Sequence, residues 1–303
     1  MSSCSSLVRE IRLQSFCCGR DCLLPQGLGS PGRKRVLSAA GTCYQSKPTD
    51  KGGAMPYAQV RGVNLYYEDR GQGQPLLLVP GALGTGQSDF GPQLEALPAE
   101  GLRVIAPDPR GYGKSRPPIR EFPLDFYEQD AQDCAALMEA IGCDSYAVGG
   151  WSDGAIIALL LTLNRSQQVS KLIIWGGNAY LTPEDLAAYE ETRFLSSWSP
   201  RMVEAMRAIY GDELQDLWAR WCDAMQALYQ AGGELCRQRL HLIRCPTLIL
   251  HGGKDPLVPS FHADVLQHSI TGSRLYIFPE GKHNIHLAYA QEFNQRVVDF
   301  LRA

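Results

Sequence analysis

A serine lies between two glycines near the middle of the chain, in residues 149–155 (GGWSDGA). Ser152 follows a predicted buried strand at 145–149 and precedes a predicted helix. In this strand–turn–helix setting, the pattern Gly-x-Ser-x-Gly presents a nucleophile. The glycines at positions 150 and 154 allow the tight turn and the close approach of strand and helix. The sequence therefore predicts that Ser152 is a nucleophile at a helix N-terminus, where the partial positive charge favours a reacting oxygen anion.

A nucleophilic serine needs a general base, and the base needs a group that orients it. In the chain order Ser, Asp, His, the base follows the last strand, which is where His283 lies. Asp255 follows the preceding strand in the turn-rich stretch HGGKDPLVP. His286 is expected to be a surface or packing residue, and Asp108 ends a strand but precedes the serine. We therefore predict a triad of Ser152, Asp255 and His283.

The tetrahedral intermediate of acyl transfer needs backbone N–H donors for its oxyanion. The residue after the nucleophile, Asp153, is expected to supply one donor. The second is expected from the loop PGALG, which follows the strand PLLLV. Ala82 is the first choice for this donor and Leu83 the second, although the glycines of that loop could serve the turn alone.

The Asp153 side chain is unexpected, because it places a carboxylate beside a developing oxyanion. Two like charges ~6 Å apart at an effective dielectric constant of ~20 repel by about 3 kcal/mol. A substrate ammonium would turn this repulsion into attraction, and an α-amino acid ester carries its ammonium two bonds from the reacting carbonyl carbon. The alternative is that Asp153 only stabilises the helix N-terminus, by about 0.3–1 kcal/mol.

These side chains must be positioned by the surrounding elements, and short apolar runs alternate with helical patterns from about residue 56. A β-hairpin is predicted at 58–69, followed by strands at 75–81, 103–108, 145–150, 171–177, 246–253 and 274–281. Helices are predicted at 127–141, 155–163 and 293–301 by apolar residues at three- and four-residue spacing. Continuous apolar strands that alternate with helices predict an α/β fold with a mostly parallel sheet, covered on both faces.

Residues 180–240 interrupt this rhythm, because they contain no convincing strand and are typical of several helices. Trp198, Trp218 and Trp221 lie there among many charged residues. We expect a helical cap over the site, although additional helical packing is the plainer alternative. The substrate pocket is expected to be shared between this cap and residues such as Leu257.

The first 54 residues differ from the rest in composition. Residues 1–47 contain seven basic and two acidic residues, together with many serines, in a chain of net charge −3. An arginine-rich, serine-rich and acid-poor segment is typical of a mitochondrial transit peptide. We therefore predict a leader at 1–54 and one domain at 55–303, in a mitochondrial protein. A start at Met55 would give a cytosolic form, and a tail without targeting function is the alternative.

Composition also limits the classes of partner. The chain lacks an overall basic charge for nucleic acid and a long apolar segment for a membrane span. Its ten cysteines include no paired Cys-x-x-Cys with matching histidines, so no metal site is predicted. The core cysteines are interpreted as small buried apolar residues. We expect no cofactor, and a monomer that acts on a small-molecule substrate.

Over residues 56–303 the sequence resembles the α/β-hydrolase family. Seven segments narrow the resemblance to the biphenyl hydrolase-like (valacyclovir hydrolase) branch of that family: SDFGPQL, DPRGYGKSRPP, GWSDG, WGGNAY, KDPLVP, FHAD and PEGKHNIHL. This resemblance implies a serine hydrolase of α-amino acid esters, with Ser152, Asp255 and His283 as its triad. It further implies that Asp153 binds the substrate amino group and that the enzyme is mitochondrial.

Other functions use the same triad and remain open at this stage. A general carboxylesterase or a carbon–carbon bond hydrolase would not need a cationic substrate, and Asp153 argues against an anionic one. An aminopeptidase would also recognise a free amine, but amides demand more protonation of the leaving group. A catalytically inactive binding protein of this fold should lack a triad residue, and none is missing here.

Overall fold

The computed structural model describes residues 56–303, which contain an eight-stranded sheet of order β1-β2-β4-β3-β5-β6-β7-β8. Strand β2 runs antiparallel to β1 and β4, and the other neighbours are parallel. The predicted hairpin and the six predicted strands are confirmed. The strands are β1 Tyr57–Val60, β2 Val63–Arg70, β3 Gln74–Val79, β4 Leu102–Pro107, β5 Tyr146–Trp151, β6 Val169–Trp175, β7 Thr247–Gly252 and β8 Arg274–Phe278.

Helices cover both faces of the sheet, because alternate strand residues point to opposite sides. In β3, Leu77 and Val79 belong to one apolar cluster, with helices α2 (Phe126–Ala140) and α3 (Asp153–Asn164). Leu76 and Leu78 belong to the other cluster, with α1 (Gly86–Ala96) and α9 (Ala290–Arg302). The three predicted helices correspond to α2, α3 and α9. The doubly covered, mostly parallel sheet confirms the predicted fold class.

A helical insertion, defined here as residues 176–246, connects β6 to β7. It contains α4 (Pro183–Glu191), α5 (Pro200–Tyr210) and α6 (Leu214–Gln230), with short 3-10 turns between and after them. Within the described residues its only β pairing is an isolated bridge between Tyr180 and Glu234. Buried side chains of α4 and α6, among them Tyr189, Trp221 and Met225, share one apolar cluster with α2 and α3. The insertion is therefore packed onto the core, next to the helix that begins after Ser152.

Two further helices follow the insertion, α7 (Phe261–Ser269) and α8 (Ile285–Ala288). No helix in residues 56–303 is long and apolar enough to cross a membrane. The five cysteines of this part of the chain are all free thiols, and four of them are buried. The predicted leader at 1–54 and the start at Met55 lie outside the described residues and remain predictions.

Candidate active site

The site lies at the edge of the sheet where the parallel strands end. Strands β3, β5, β7 and β8 run in the same direction, so the loops that follow them meet at one edge. These loops carry Ala82, Ser152, Asp255 and His283, respectively. In open α/β sheets ligands bind in the crevice outside the carboxyl ends of the strands. The topology therefore collects into one place residues that lie up to 201 positions apart in the sequence.

Ser152 has a strained backbone, with φ 56° and ψ −122° at the junction of β5 and α3. A side chain in this left-handed region costs of order 1–3 kcal/mol and persists only where its surroundings enforce it. The two flanking glycines make the turn possible. A Cβ at Gly150 would lie 2.0 Å from the carbonyl oxygen of Gly154, and one at Gly154 would lie 2.0 Å from that of Val79. The sharp turn predicted from the glycine spacing is therefore present.

The structure brings together the three residues that the sequence singles out as a triad. His283 Nε2 lies 3.0 Å from Ser152 Oγ, and His283 Nδ1 lies 2.8 Å from Asp255 Oδ2. The other carboxylate oxygen, Asp255 Oδ1, accepts backbone N–H bonds from Leu257 at 2.9 Å and Val258 at 3.1 Å. This chain of contacts can move a proton from the serine to the histidine, while the carboxylate holds the imidazole in place.

Asp255 is suited to the anionic role in that chain. Burial alone would raise its pKa, but the opposing effects of His283 and the hydrogen bond to its ring hold the pKa below the ordinary value. The carboxylate therefore stays ionised and can stabilise the imidazolium that forms when His283 takes a proton.

His283 and His286 occupy different environments, and only the His283 ring contacts Ser152 and Asp255. The indole Nε1 of Trp151 donates to the backbone oxygen of His283 at 3.0 Å and ties its loop to the nucleophile turn. His286 is buried, lies between the rings of Trp151 and Trp175, and contacts the backbone oxygen of Asp89 through Nε2. Burial lowers the pKa of His286 to about 3, so it stays neutral as a packing residue.

Two residues that line the cavity beside Ser152, Asp153 and Ala82, have backbone N–H groups that could bind an oxyanion. Those of Asp153 and Ala82 donate no hydrogen bond to any other group in residues 56–303. Ala82 lines the same small cavity as Ser152. Leu83, the second choice from the sequence, also has a backbone N–H that donates no hydrogen bond in residues 56–303, but this residue is fully buried and does not line that cavity. The structure thus favours Ala82 over Leu83 as the second donor.

Asp153 lines the same cavity and is only 7% exposed. Its Oδ1 accepts from the Tyr127 hydroxyl at 2.8 Å, and its Oδ2 accepts from the Trp221 indole Nε1 at 2.7 Å. Burial raises the pKa of Asp153 from 3.8 to about 6, although these two hydrogen bonds lower it. From the sequence, Asp153 is expected to find its partner in the substrate ammonium, and to lack a partner without a substrate. The second expectation is wrong, because two neutral donors already hold the carboxylate.

Tyr127 and Trp221 are site residues that sequence reasoning did not single out for this role. Tyr127 belongs to α2 and Trp221 to α6 in the insertion, and both are buried. In the sequence each is one of several apolar residues at helical spacing, and nothing marks one as a partner of Asp153.

The cavity is enclosed by the core on one side and the insertion on the other. Leu257, the pocket residue expected from the sequence, lines it beside Val258, and the insertion contributes Asn178 with the rings of Tyr189, Trp218 and Trp221. Trp218 and Trp221 stack with their ring centroids 4.6 Å apart. Within the described residues no cluster of His, Cys, Asp and Glu is arranged to hold a metal ion.

Comparison with known proteins identifies this architecture. The family model described as "Alpha/beta hydrolase family" matches residues 76–296, which is most of the chain. The chain belongs to the alpha/beta hydrolase family. Among curated proteins, serine hydrolase BPHL is 48% identical in Mus musculus and 47% identical in Homo sapiens. Each match spans 80% of this chain and 84% of the relative.

A solved structure of an esterase shows the same architecture at lower identity. The esterase from Exiguobacterium antarcticum is 28% identical, with a TM-score of 0.65 over 82% of this chain and 100% of its own. The biphenyl hydrolase-like resemblance noted in the seven sequence segments is confirmed by the BPHL relatives. The protein is accordingly a serine hydrolase of this family.

Proposed function

We propose that this hydrolase cleaves esters of α-amino acids that carry a free amine. Ser152 is the nucleophile, His283 the general base and acid, and Asp255 the group that orients His283. The backbone N–H groups of Asp153 and Ala82 form the oxyanion hole. The Asp153 carboxylate binds the substrate ammonium.

The reaction follows from the order of contacts around Ser152. His283 Nε2 takes the hydroxyl proton as Ser152 Oγ attacks the ester carbonyl carbon, and the oxyanion moves toward the two N–H donors. Collapse of the tetrahedral intermediate breaks the ester C–O bond, and His283 gives its proton to the departing alcohol. Water, deprotonated by His283, then attacks the acyl-enzyme and releases the amino acid and Ser152.

The observation that carries the specificity is a buried carboxylate in the cavity whose partners are all neutral. Each Asp153 oxygen accepts one hydrogen bond, from Tyr127 or Trp221, and retains a further acceptor site. A buried charge without a cation is costly, and it also repels the oxyanion that forms beside it. An α-ammonium close to the ester carbonyl compensates both effects.

Leu257 and the aromatic rings of the insertion are proposed to enclose the acyl side chain. Leu257 and Val258 form an apolar wall on the core side, and Tyr189, Trp218 and Trp221 form the facing wall. Small-molecule sites typically combine such apolar walls with a few polar groups that fix orientation. These walls would favour an apolar amino acid side chain over a charged one.

The test of this function is a set of matched substrates. Methyl esters of one apolar amino acid are compared with the amine free and with the amine acetylated, alongside a dipeptide of the same residue. We expect kcat/KM to be about 10- to 100-fold higher for the free amine than for the acetylated ester, which corresponds to one hydrogen bond between charged groups. The Ser152→Ala variant, which lacks the proposed nucleophile, measures the background rate of hydrolysis.

Two of the alternative functions, a general carboxylesterase and an aminopeptidase, give different outcomes in this test. Equal rates on the free and blocked esters would indicate a general carboxylesterase. Faster cleavage of the dipeptide than of the ester would indicate an aminopeptidase. Turnover that survives in Ser152→Ala would contradict the assignment of the nucleophile.

The basic, acid-poor composition of residues 1–47 supports a mitochondrial location for the enzyme, with Met55 as a start for a cytosolic form. A fluorescent protein fused to residues 1–54 is expected to enter mitochondria. If that fusion stays in the cytosol, the leader has no targeting function.

A further inference from the structure

A second carboxylate is buried near the nucleophile and has no part in the mechanism above. Asp89 lies near the start of α1 and is 7% exposed. It sits behind the loop of residues 80–85, which connects β3 to α1 and carries Ala82. Burial raises the pKa of Asp89 to about 7, although hydrogen bonds from Ser88 and Gly81 oppose this effect. Such a costly placement needs a compensating role.

The loop is folded around the Asp89 carboxylate. Asp89 Oδ2 accepts the backbone N–H of Gly81 at 3.0 Å, and Oδ1 accepts the Ser88 hydroxyl at 2.8 Å. Gly84 passes so close that a Cβ there would lie 2.0 Å from Asp89 Oδ2. Within the loop, the N–H of Gly84 donates to the carbonyl oxygen of Gly81 at 3.0 Å. Gly81 is thus held on both sides, by Asp89 at its N–H and by Gly84 at its carbonyl.

These bonds set the direction of the Ala82 N–H. The carbonyl of Gly81 and the N–H of Ala82 belong to one planar trans peptide unit, so they point in opposite directions. Gly81 also lies against the nucleophile turn, since a Cβ there would be 3.3 Å from Ser152 Cβ. A small rotation at Gly81 would therefore turn the Ala82 N–H relative to Ser152.

We propose that Asp89 is a positioning residue for the oxyanion hole, which holds Gly81 so that the Ala82 N–H points at the developing oxyanion. This inference rests on the proposed role of Ala82 and does not depend on recognition of the amine. Asp89 acts through the loop and touches no substrate atom. Its loss should therefore lower stabilisation of the transition state and leave binding of the ester unchanged.

Three variants of the full chain separate this role from simple structural support. Asp89→Ala removes the acceptor of the Gly81 N–H. Asp89→Asn keeps a carbonyl oxygen for the same bond without the charge. Ser88→Ala is the matched control, because it removes a partner of Oδ1 and the capping box of α1 but leaves the Gly81 bond. If the alanine variant does not fold, Asp89→Val fills the volume of the carboxylate without an acceptor.

The expected result for Asp89→Ala is a fall in kcat of about 10- to 100-fold with KM within about twofold, since donor misplacement acts on the transition state. The fall should be equal for the free-amine ester and its acetylated partner. Binding of phenylboronic acid, which forms a tetrahedral adduct with the serine, should weaken in parallel. Asp89→Asn should keep kcat within about threefold, and Ser88→Ala should lower the melting temperature with little change in kcat.

Several results would overturn the proposal. They are an unchanged kcat in Asp89→Ala or Asp89→Val, a change confined to KM, or a loss in Asp89→Asn as large as that in Asp89→Ala. Because the acetylated ester lacks the ammonium, this experiment stays decisive if recognition of the amine by Asp153 proves wrong.

Discussion

Asp153 provides two different groups to one site. We assign its backbone N–H to the oxyanion hole and the charge of its side chain to selection of the substrate. The adjacency of Ser152 and Asp153 made this pairing of roles predictable from the sequence. The two hydrogen bonds that hold the carboxylate were not, because Tyr127 and Trp221 lie 26 and 68 residues away on other helices. Spacing within a sequence carries no signal for contacts of that kind.

The Trp221 indole stabilises the ionised form of Asp153, because its N–H bonds to the carboxylate and lowers the pKa. Trp221→Phe keeps a ring in the cavity but removes this donor. We expect the pKa of Asp153 to rise by about one pH unit, the equivalent of one hydrogen bond to a charged group. The measurement is the pH at which preference for the free-amine ester over its acetylated partner is half lost.

The control for this prediction is Trp218→Phe. Trp218 stacks on Trp221 and lines the same cavity, but its indole donates to the backbone oxygen of Thr192. In Trp218→Phe, the pH at which preference for the free-amine ester is half lost should stay at its wild-type value. If both variants moved this pH equally, loss of packing rather than loss of the hydrogen bond would be responsible.

Among the helices, strands and turns, those predicted best from the sequence are the ones whose backbone geometry permits only certain residue types. Strands β5, β7 and β8 are short apolar runs, and they are followed by Ser152, Asp255 and His283. The glycines on either side of Ser152 leave few backbone conformations for the turn between β5 and α3. The insertion was predictable only as helical. The contact between α6 and Asp153 depends on how α4 and α6 pack over the core, which periodicity does not determine.

Gly154 offers a test of how the elements pack, because it lies in the first turn of α3 against the end of β3. In Gly154→Ala the new methyl group would lie 2.0 Å from the carbonyl oxygen of Val79, so strand and helix must move apart. We expect a destabilisation of about 1–3 kcal/mol, as for other overpacked sites, with loss of fluorophosphonate labelling at Ser152. Urea unfolding measures the first effect.

Gly91 in α1 is the matched control. A Cβ there would meet only the Gln87 side-chain amide at 3.9 Å, and the residue has no positive φ. Gly91→Ala is expected to leave labelling intact and to stabilise the fold by about 0.4–1 kcal/mol, because alanine reduces the entropy of the unfolded chain. If Gly154→Ala behaved like Gly91→Ala, the elbow would not require a glycine.

For the whole molecule, the charge of Asp153 has opposite effects on function and stability. The ionised carboxylate is the form that we assign to substrate selection, and it is also the form that destabilises the folded state. Its pKa is raised from 3.8 to about 6 by burial. The folded state therefore holds this proton more tightly than the unfolded state does. The resulting contribution of Asp153 to the free energy of unfolding is fully present below about pH 4. It is lost as the pH rises through about 6. A shift of this size corresponds to about 3 kcal/mol.

The variant Asp153→Asn should not lose stability in this way at high pH. The amide keeps an acceptor for the Trp221 N–H and has no charge to bury. We expect the variant to be more stable than wild type by up to about 3 kcal/mol at pH 8 and similar to it at pH 4. Urea unfolding at the two pH values measures the difference. A constant difference at both would show that the carboxylate charge does not contribute to it.

The pH dependence of one ratio most directly tests whether Asp153 selects a cationic substrate. The ratio compares kcat/KM for a free-amine amino acid ester with kcat/KM for its acetylated partner, between pH 5 and 7. In this range the α-ammonium is largely charged, and pH effects that act equally on both esters cancel in the ratio.

In the wild-type enzyme the ratio should be high at pH 7 and should fall below pH 6, where Asp153 gains a proton. In Asp153→Asn it should be low and independent of pH, with turnover of the acetylated ester retained. A high ratio that survives in Asp153→Asn, or an equal loss of activity on both esters, would contradict the assignment of Asp153 as the group that selects a cationic substrate.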